Sequence, residues 1–346
     1  MQAENKDTAM SVVMETSAGC PEFLSSHTPA VDLMEERYTA IEKLNEGGQG
    51  EVFLAECKTN KQLVAVKVSK FKDDDSLLEE AKLLMKLPRN KRIVQLLGCY
   101  EDHRKDVLGI SLVLQYCPGG DLGEYMDRYS EGGKKSIPEA FIWHAYCQMS
   151  EMLAFVHTGY TPEHGIPASW TPIIHGDLKI ENLLLGPAEQ GARFPNLLLA
   201  DFGAATEYDP RALFGPYVTR GTRVCWAPEA PLPVMASDVW TAGVVIHQLA
   251  RNEHPRADWK RTAREHKVWP EEEDAVYWLS KTPRMFYDLT VELEPECPDR
   301  FGFAKYSDEL DWWMMRALEQ SWQTRVTALG LVFEMIPVAR AKMATL

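Results

Sequence analysis

The chain has 346 residues, 45% of them hydrophobic, and a formal charge of −14, enough to bury a full core in one large domain or in two lobes that share a cleft. The acidic balance argues against nucleic acid or an anionic membrane as a general partner, because phosphate is held by clustered Lys and Arg, and it favours basic peptides. No segment reaches the roughly 18 consecutive apolar residues that span a bilayer, and no basic region followed by an apolar run marks secretion, so a cytoplasmic or nuclear location is expected.

Seven scattered cysteines, Cys20, Cys57, Cys99, Cys117, Cys147, Cys225 and Cys297, never form CxxC pairs, so neither a disulfide framework nor a zinc site is expected. Residues 1–36 mix Ser, Thr, Glu and small residues without periodicity and read as a flexible leader. From Tyr38 to about Leu122 short runs rich in Val and Leu, "EVFLAEC", "QLVAVKV" and "ISLVLQY", predict strands. Among them "DSLLEEAKLLMKL" has helical spacing.

After the "PGGD" turn the pattern changes to helices over "PEAFIWHAYCQMSEMLAFVH", "ASDVWTAGVVIHQLAR" and "DELDWWMMRALEQSW". His157 to Pro172, "HTGYTPEHGIPASWTP", is rich in Pro and Gly and reads as a surface loop. Residues 252–301 give no clear pattern. The expected architecture is α+β: a β-rich first lobe over about 37–117 with one key helix, a helical second lobe over about 118–340, and a tail over 341–346.

Three constellations carry chemistry. Leu44-Asn45-Glu46-Gly47-Gly48-Gln49-Gly50-Glu51-Val52 lies between two strand-like runs, and glycines without Cβ let backbone N–H groups approach phosphate oxygens; a glycine-rich hairpin turn is the alternative. Lys67 ends the apolar strand Val64-Ala65-Val66-Lys67 and needs an anionic partner if it points inward. The helix downstream offers Glu79 and Glu80 on adjacent faces, with Glu80 turned by its spacing toward the interior of Leu83, Leu84 and Leu87; a Lys67 that reaches out to solvent is the alternative. Third, "HGDLKIENLLL" (175–185) and "LLLADFGAAT" (197–206) supply what phosphoryl transfer asks for: a carboxylate near the attacking hydroxyl, a cation, and oxygen ligands for Mg²⁺. Those residues are Asp177, Lys179, Asn182 and Asp201.

On these motifs the chain resembles the eukaryotic protein kinase family from about Tyr38 to Ala339, in its serine/threonine branch. The resemblance implies ATP, with Mg²⁺ or Mn²⁺, and protein substrates. It implies that Gly47, Gly48 and Gly50 belong to the phosphate-covering loop, with Asn45 where a first glycine is usual. Lys67 would hold the α and β phosphates and pair with Glu80, Asp177 would be the base, and Lys179 would neutralise the transferring group. Asn182 and Asp201 would bind metal.

By the same resemblance Leu44, Val52, Ala65 and Leu184 line the adenine, Leu114 controls access behind it, Gln115 and Cys117 read its edge through their backbones, and Asp121 meets the ribose. His175 and Phe202, beside Gly203, would stack with Leu84 and Leu96. Glu229 of "GTRVCWAPE" would pair with Arg325, and Asp238 would anchor the catalytic loop. Lys179 and Thr222 point to serine and threonine as acceptors. Glu181 and Asp121 suit basic residues in the substrate, and Gly176 replaces the arginine that ordinarily receives an activation-loop phosphate. A nucleotide-binding scaffold without activity is the alternative; it rests on Asn45 and Gly176, while the lysine, the base and both metal ligands are all present.

Overall fold

The computed structural model describes residues 36–46, 50–69, 76–102, 109–131, 136–211, 221–257, 284–292 and 304–346. Gly47 and Gly48 of the glycine-rich segment therefore lie outside the described residues, as do Cys20, Cys297 and most of the 252–301 stretch. The chain divides into two compact units, Met1–Asn90 with Val94–Tyr116 and Lys91–Ile93 with Cys117–Leu346.

The first unit is an antiparallel sheet of β1 (Tyr38–Glu46), β2 (Glu51–Cys57), β3 (Leu63–Val68), β4 (Leu96–Asp102) and β5 (Gly109–Gln115), in the order β1-β2-β3-β5-β4. Side chains alternate across a strand, and β3 shows it: Val64, Val66 and Val68 join Tyr38, Ala55, Cys57, Tyr100 and Val113 in one core. Ala65 and Lys67 take the opposite face. Residues directly across a ladder share a face, so the pairs Val52↔Lys67, Leu54↔Ala65, Ala65↔Leu114 and Lys67↔Leu112 gather Val52, Ala65, Lys67 and Leu114 on that second face. Leu44 lies in a β-bulge between Lys43 and Asn45. Helix α1 (Ser76–Lys86) buries Leu77, Glu80, Ala81, Leu83 and Leu84 and packs against β4 and β5.

The second unit is built on α3 (Glu139–Thr158), which follows α2 (Leu122–Glu131). Sixteen of the α3 residues are buried, so this helix is apolar on all sides and sits at the centre of its unit. Helix α4 (Met235–Arg251) crosses it and is as deeply covered. Between them come β6 (Ile173–Ile174), the hairpin β7 (Leu183–Gly186) and β8 (Asn196–Leu199), and β9 (Thr206–Glu207), which pairs with β6. The short strands β10 (Arg256–Ala257) and β11 (Arg284–Met285), helix α5 (Asp308–Ala317), α6 (Ala328–Gly330), a π turn over Leu331–Met335 and α7 (Ile336–Met343) complete it. The five described cysteines are free thiols, and no helix among the described residues is long and apolar enough to cross a membrane.

One boundary differs from the sequence reading and one overlap in it is resolved. His157, which ends the expected helical stretch and also begins the expected loop, belongs to the helix: it occupies the last turn of α3 and is buried, and the helix ends at Gly159, whose backbone is left-handed (φ 72). The helix expected over 308–322 stops at Ala317, and the carbonyl of Ser321 instead accepts the N–H groups of Thr324 (3.1 Å) and Arg325 (3.0 Å) in a turn.

One buried histidine gives the unit a pH dependence. His247 Nε2 accepts the N–H of Tyr287 (3.0 Å), which leaves Nδ1–H to donate to the carbonyl of Glu253 (2.8 Å). Burial pushes its pKa down to about 4. An unfolded histidine titrates near 6.5, so between these values the unfolded chain binds a proton that the folded chain refuses. This contribution to stability is complete above pH 6.5 and falls as pH drops, by at most about 1.4 kcal/mol per pH unit. Urea unfolding of His247→Gln is expected to show a shallower loss of stability from pH 6.5 to 4 than the parent; an unchanged slope would contradict it.

Candidate active site

In the first unit Lys67 Nζ donates to Glu80 Oε2 at 2.7 Å, with both side chains buried. A buried ammonium is tolerable only with such a partner, and the pairing selects Glu80 over Glu79, which is exposed and binds Lys82. Beside this pair on the same sheet face, Val52 and Ala65 are half-buried and Leu114 is buried, while Leu44 is exposed at the sheet's edge. These side chains offer an apolar surface ending in a fixed cation. A Cβ on Gly50 would overlap the carbonyl oxygen of Val68, so glycine is required there by strand packing whatever else the loop does. Gln115 ends β5, its N–H donating to the carbonyl of Gln95 at 2.9 Å.

In the second unit the turn Ile180–Asn182 folds the 175–185 segment back so that its polar residues converge. Lys179 Nζ donates to Asp177 Oδ2 (2.8 Å) and to Thr222 Oγ1 (2.9 Å), and the N–H of Thr222 donates to Asp177 Oδ1 (2.7 Å). Asn182 Nδ2 donates to the Asp177 carbonyl (2.8 Å) and to its Oδ2 (3.3 Å). Asp177 is thus held at both oxygens by donors. Burial pulls the Lys179 pKa down, but the Asp177 hydrogen bond and the charges of Asp177, Glu181 and Asp201 outweigh it and hold the ammonium above its ordinary value.

The donor set also fits a divalent cation. The side-chain nitrogen of Asn182 is committed to Asp177, which leaves the carbonyl oxygen as its ligand atom. The register of β7 and β8 and the bond from Ala200 N–H to the Asn182 carbonyl (2.9 Å) put Asp201 beside it at the same end of the hairpin. Amide and carboxylate oxygens are the ligands Mg²⁺ takes. Asp201 carries strain as well: its backbone is left-handed (φ 59), and its Oδ1 accepts the N–H of Gly203 (3.3 Å).

The frame behind these groups is polar and buried. His175 Nδ1 accepts the N–H of Asp177 (3.3 Å), its Nε2 donates to the Ala200 carbonyl (3.0 Å), and its ring meets Phe202 edge-on at 5.0 Å. Asp238, on α4, accepts the N–H of His175 at Oδ2 (2.8 Å) and that of Gly176 at Oδ1 (2.9 Å). Burial opposes its charge, but His157, His175 and the Gly176 N–H prevail and keep the carboxyl below its usual value. Arg325 clamps Glu229 through two bonds of 2.6 and 2.9 Å, and Ser237 Oγ adds a third at 2.9 Å. Losing one partner of such a buried pair costs about 3–5 kcal/mol.

Of the remaining residues singled out in the sequence, Cys117, Asp121 and Leu184 belong to the second unit. Asp121 Oδ1 caps α2 by accepting the N–H of Glu124 (2.8 Å), and Asp121 bridges to Leu184. Burial pushes the Cys117 thiol up to about 11, so it stays protonated. The residue that sequence reasoning missed is His157, whose Nε2 donates to Asp238 Oδ2 at 2.9 Å. The only local signal was its position at the end of a continuous apolar helix.

Comparison with known proteins agrees with this geometry. The family model described as "Protein kinase domain" matches residues 38–333. Similar curated proteins include the G2-specific protein kinase nim-1 of Neurospora crassa, 27% identical over 64% of this chain and 27% of its own length. The mitogen-activated protein kinase kinase 2 of Arabidopsis thaliana is 24% identical over 90% of this chain and 76% of its own. The serine/threonine-protein kinase ULK3 of Xenopus laevis is 28% identical over 76% and 50%. The chain thus spans about a quarter of the fungal relative and half of the frog one.

Proposed function

Because the chain belongs to the protein kinase domain family, we propose that it transfers the γ-phosphoryl group of ATP to serine and threonine hydroxyls of protein substrates. The observation that carries this reading is the Asp177 carboxylate fixed between Lys179, Thr222 and Asn182. A serine or threonine hydroxyl approaching Asp177 finds an acceptor for its proton. Lys179 brings positive charge beside that oxygen, where charge on the moving phosphoryl group develops. Lys67, oriented by Glu80, serves the α and β phosphates. Asn182 and Asp201 would hold Mg²⁺ or Mn²⁺, which would supply neutralisation of phosphate charge.

The acceptor class rests on Lys179 and Thr222, whose side chains meet at 2.9 Å. The exposed carboxylates of Glu181 and Glu124, with Asp121 nearby, support substrates with Arg or Lys close to the acceptor. The cytoplasm, or the nucleus, is the proposed location, supported by the five free thiols among the described residues.

The decisive experiment is a radiolabelled-ATP assay on a basic acceptor protein with phosphoamino-acid analysis, run beside Asp177→Asn and Lys67→Met. Phosphoserine and phosphothreonine are expected from the parent, with transfer lowered by at least about 10²-fold in each variant. Equal labelling in all three would contradict the proposal and favour a scaffold.

Gly176 adds a regulatory expectation. Its backbone is left-handed (φ 74), and a Cβ there would lie 3.1 Å from the Ala204 carbonyl oxygen. Glycine fits this position without strain and offers no cation to an activation-segment phosphate. The variant Thr206→Ala/Tyr208→Phe/Tyr217→Phe/Thr219→Ala, of which the last two positions lie outside the described residues, should keep its transfer rate. Loss of activity in the folded variant would overturn this.

A further inference from the structure

The segment from Gly159 to Pro172 reads in the sequence as a surface loop, yet it is fastened to the end of α3. The last carbonyls of a helix have no partner within it. Here the N–H of Gly159 takes Phe155 O (2.7 Å), and the indole N–H of Trp170 donates to Val156 O at 3.0 Å. The Trp170 ring also packs on Phe155, with centroids 5.3 Å apart. Any Cβ on Gly159 would overlap Trp170 and Pro167, so the segment folds directly over the helix end. Its far side closes on itself through Thr161 and Gly165, whose backbones exchange bonds of 3.1 and 2.8 Å. The exit is fixed where Pro172 O accepts the N–H of Tyr208 (2.8 Å).

The carbonyl that Trp170 takes belongs to the residue just before His157. His157 Nε2 reaches Asp238 Oδ2 (2.9 Å), and Asp238 holds the N–H groups of His175 and Gly176, immediately before Asp177. The other end of the segment leads through β6 into the same His175. We propose that the 159–172 segment is a clasp that positions the catalytic loop, and that Trp170 is its positioning residue, acting through His157 and Asp238. A side chain that only covered surface would not need to take a helix-terminal carbonyl. Nor would it lie one residue from the histidine on which a buried carboxylate depends.

The clasp serves the transfer reaction proposed above and rests on that reading for its effect on rate, but not for its effect on the loop. Trp170→Phe keeps the ring on Phe155 and removes the N–H. In the full chain it is expected to lower kcat roughly tenfold, the scale of one hydrogen bond, with KM for ATP unchanged. Amide hydrogen exchange at His175 and Gly176 should quicken while exchange in β3 stays as in the parent. In a His157→Gln background the same substitution should change kcat little further, because the two act in series. A lower melting temperature with unchanged kcat and unchanged exchange at His175 and Gly176 would overturn the proposal, as would fully additive effects of the two substitutions. If the parent itself transfers no phosphate but exchange at these amides still quickens, the kinase reading fails and the clasp stands.

Discussion

Asp238 is a carboxylate buried where water cannot solvate it, and the 175–182 loop of the second unit is organised around satisfying it. Its two oxygens take His157 Nε2 and two successive backbone N–H groups, from His175 and Gly176. A buried charge left short of partners costs several kcal/mol, so these bonds fix the backbone ahead of Asp177 more firmly than a solvent-exposed turn could. Asp177 then needs only local contacts, to Lys179, Thr222 and Asn182, to present its carboxylate in one orientation. Charge is placed first in the frame and second at the site.

The same device recurs. Arg325 and Glu229 tie the segment after Thr222 to the turn around Ser321, and Lys67 with Glu80 fixes the cation of the first unit. Each pair joins two different elements, is shielded from solvent, and is held at hydrogen-bond distance. Buried pairs of this kind contribute less net stability than specificity of arrangement, and specificity is what transfer requires, since a misplacement of 1 Å can cost about 10²-fold in rate.

Much of this was legible in the sequence because it follows from short-range periodicity. The two-residue alternation of Val64 to Val68 puts Lys67 opposite the valine face, and the leucine spacing of α1 selects Glu80 over Glu79. The convergence of Asp177, Lys179 and Asn182 follows from their closeness along the chain. What was illegible depends on partners far away. His157 was legible as the end of an apolar helical stretch, but its role was not, because its partner Asp238 lies 81 residues on. Trp170 shows no helical or strand periodicity, and only the folded end of α3 reveals what it caps. The turn after Ala317 is likewise imposed by the need to bring Arg325 to Glu229, which overrides the helical propensity of "LEQSW".

The frame is tested most directly at Asp238 itself. Asparagine has nearly the same shape but only one acceptor oxygen, so Asp238→Asn must give up at least one of the three bonds. Single-turnover transfer measured beside ATP binding by calorimetry should show a rate lower by about 10²-fold with ATP affinity unchanged. A folded Asp238→Asn protein that transfers at the parental rate would contradict the dependence of Asp177 on the buried carboxylate.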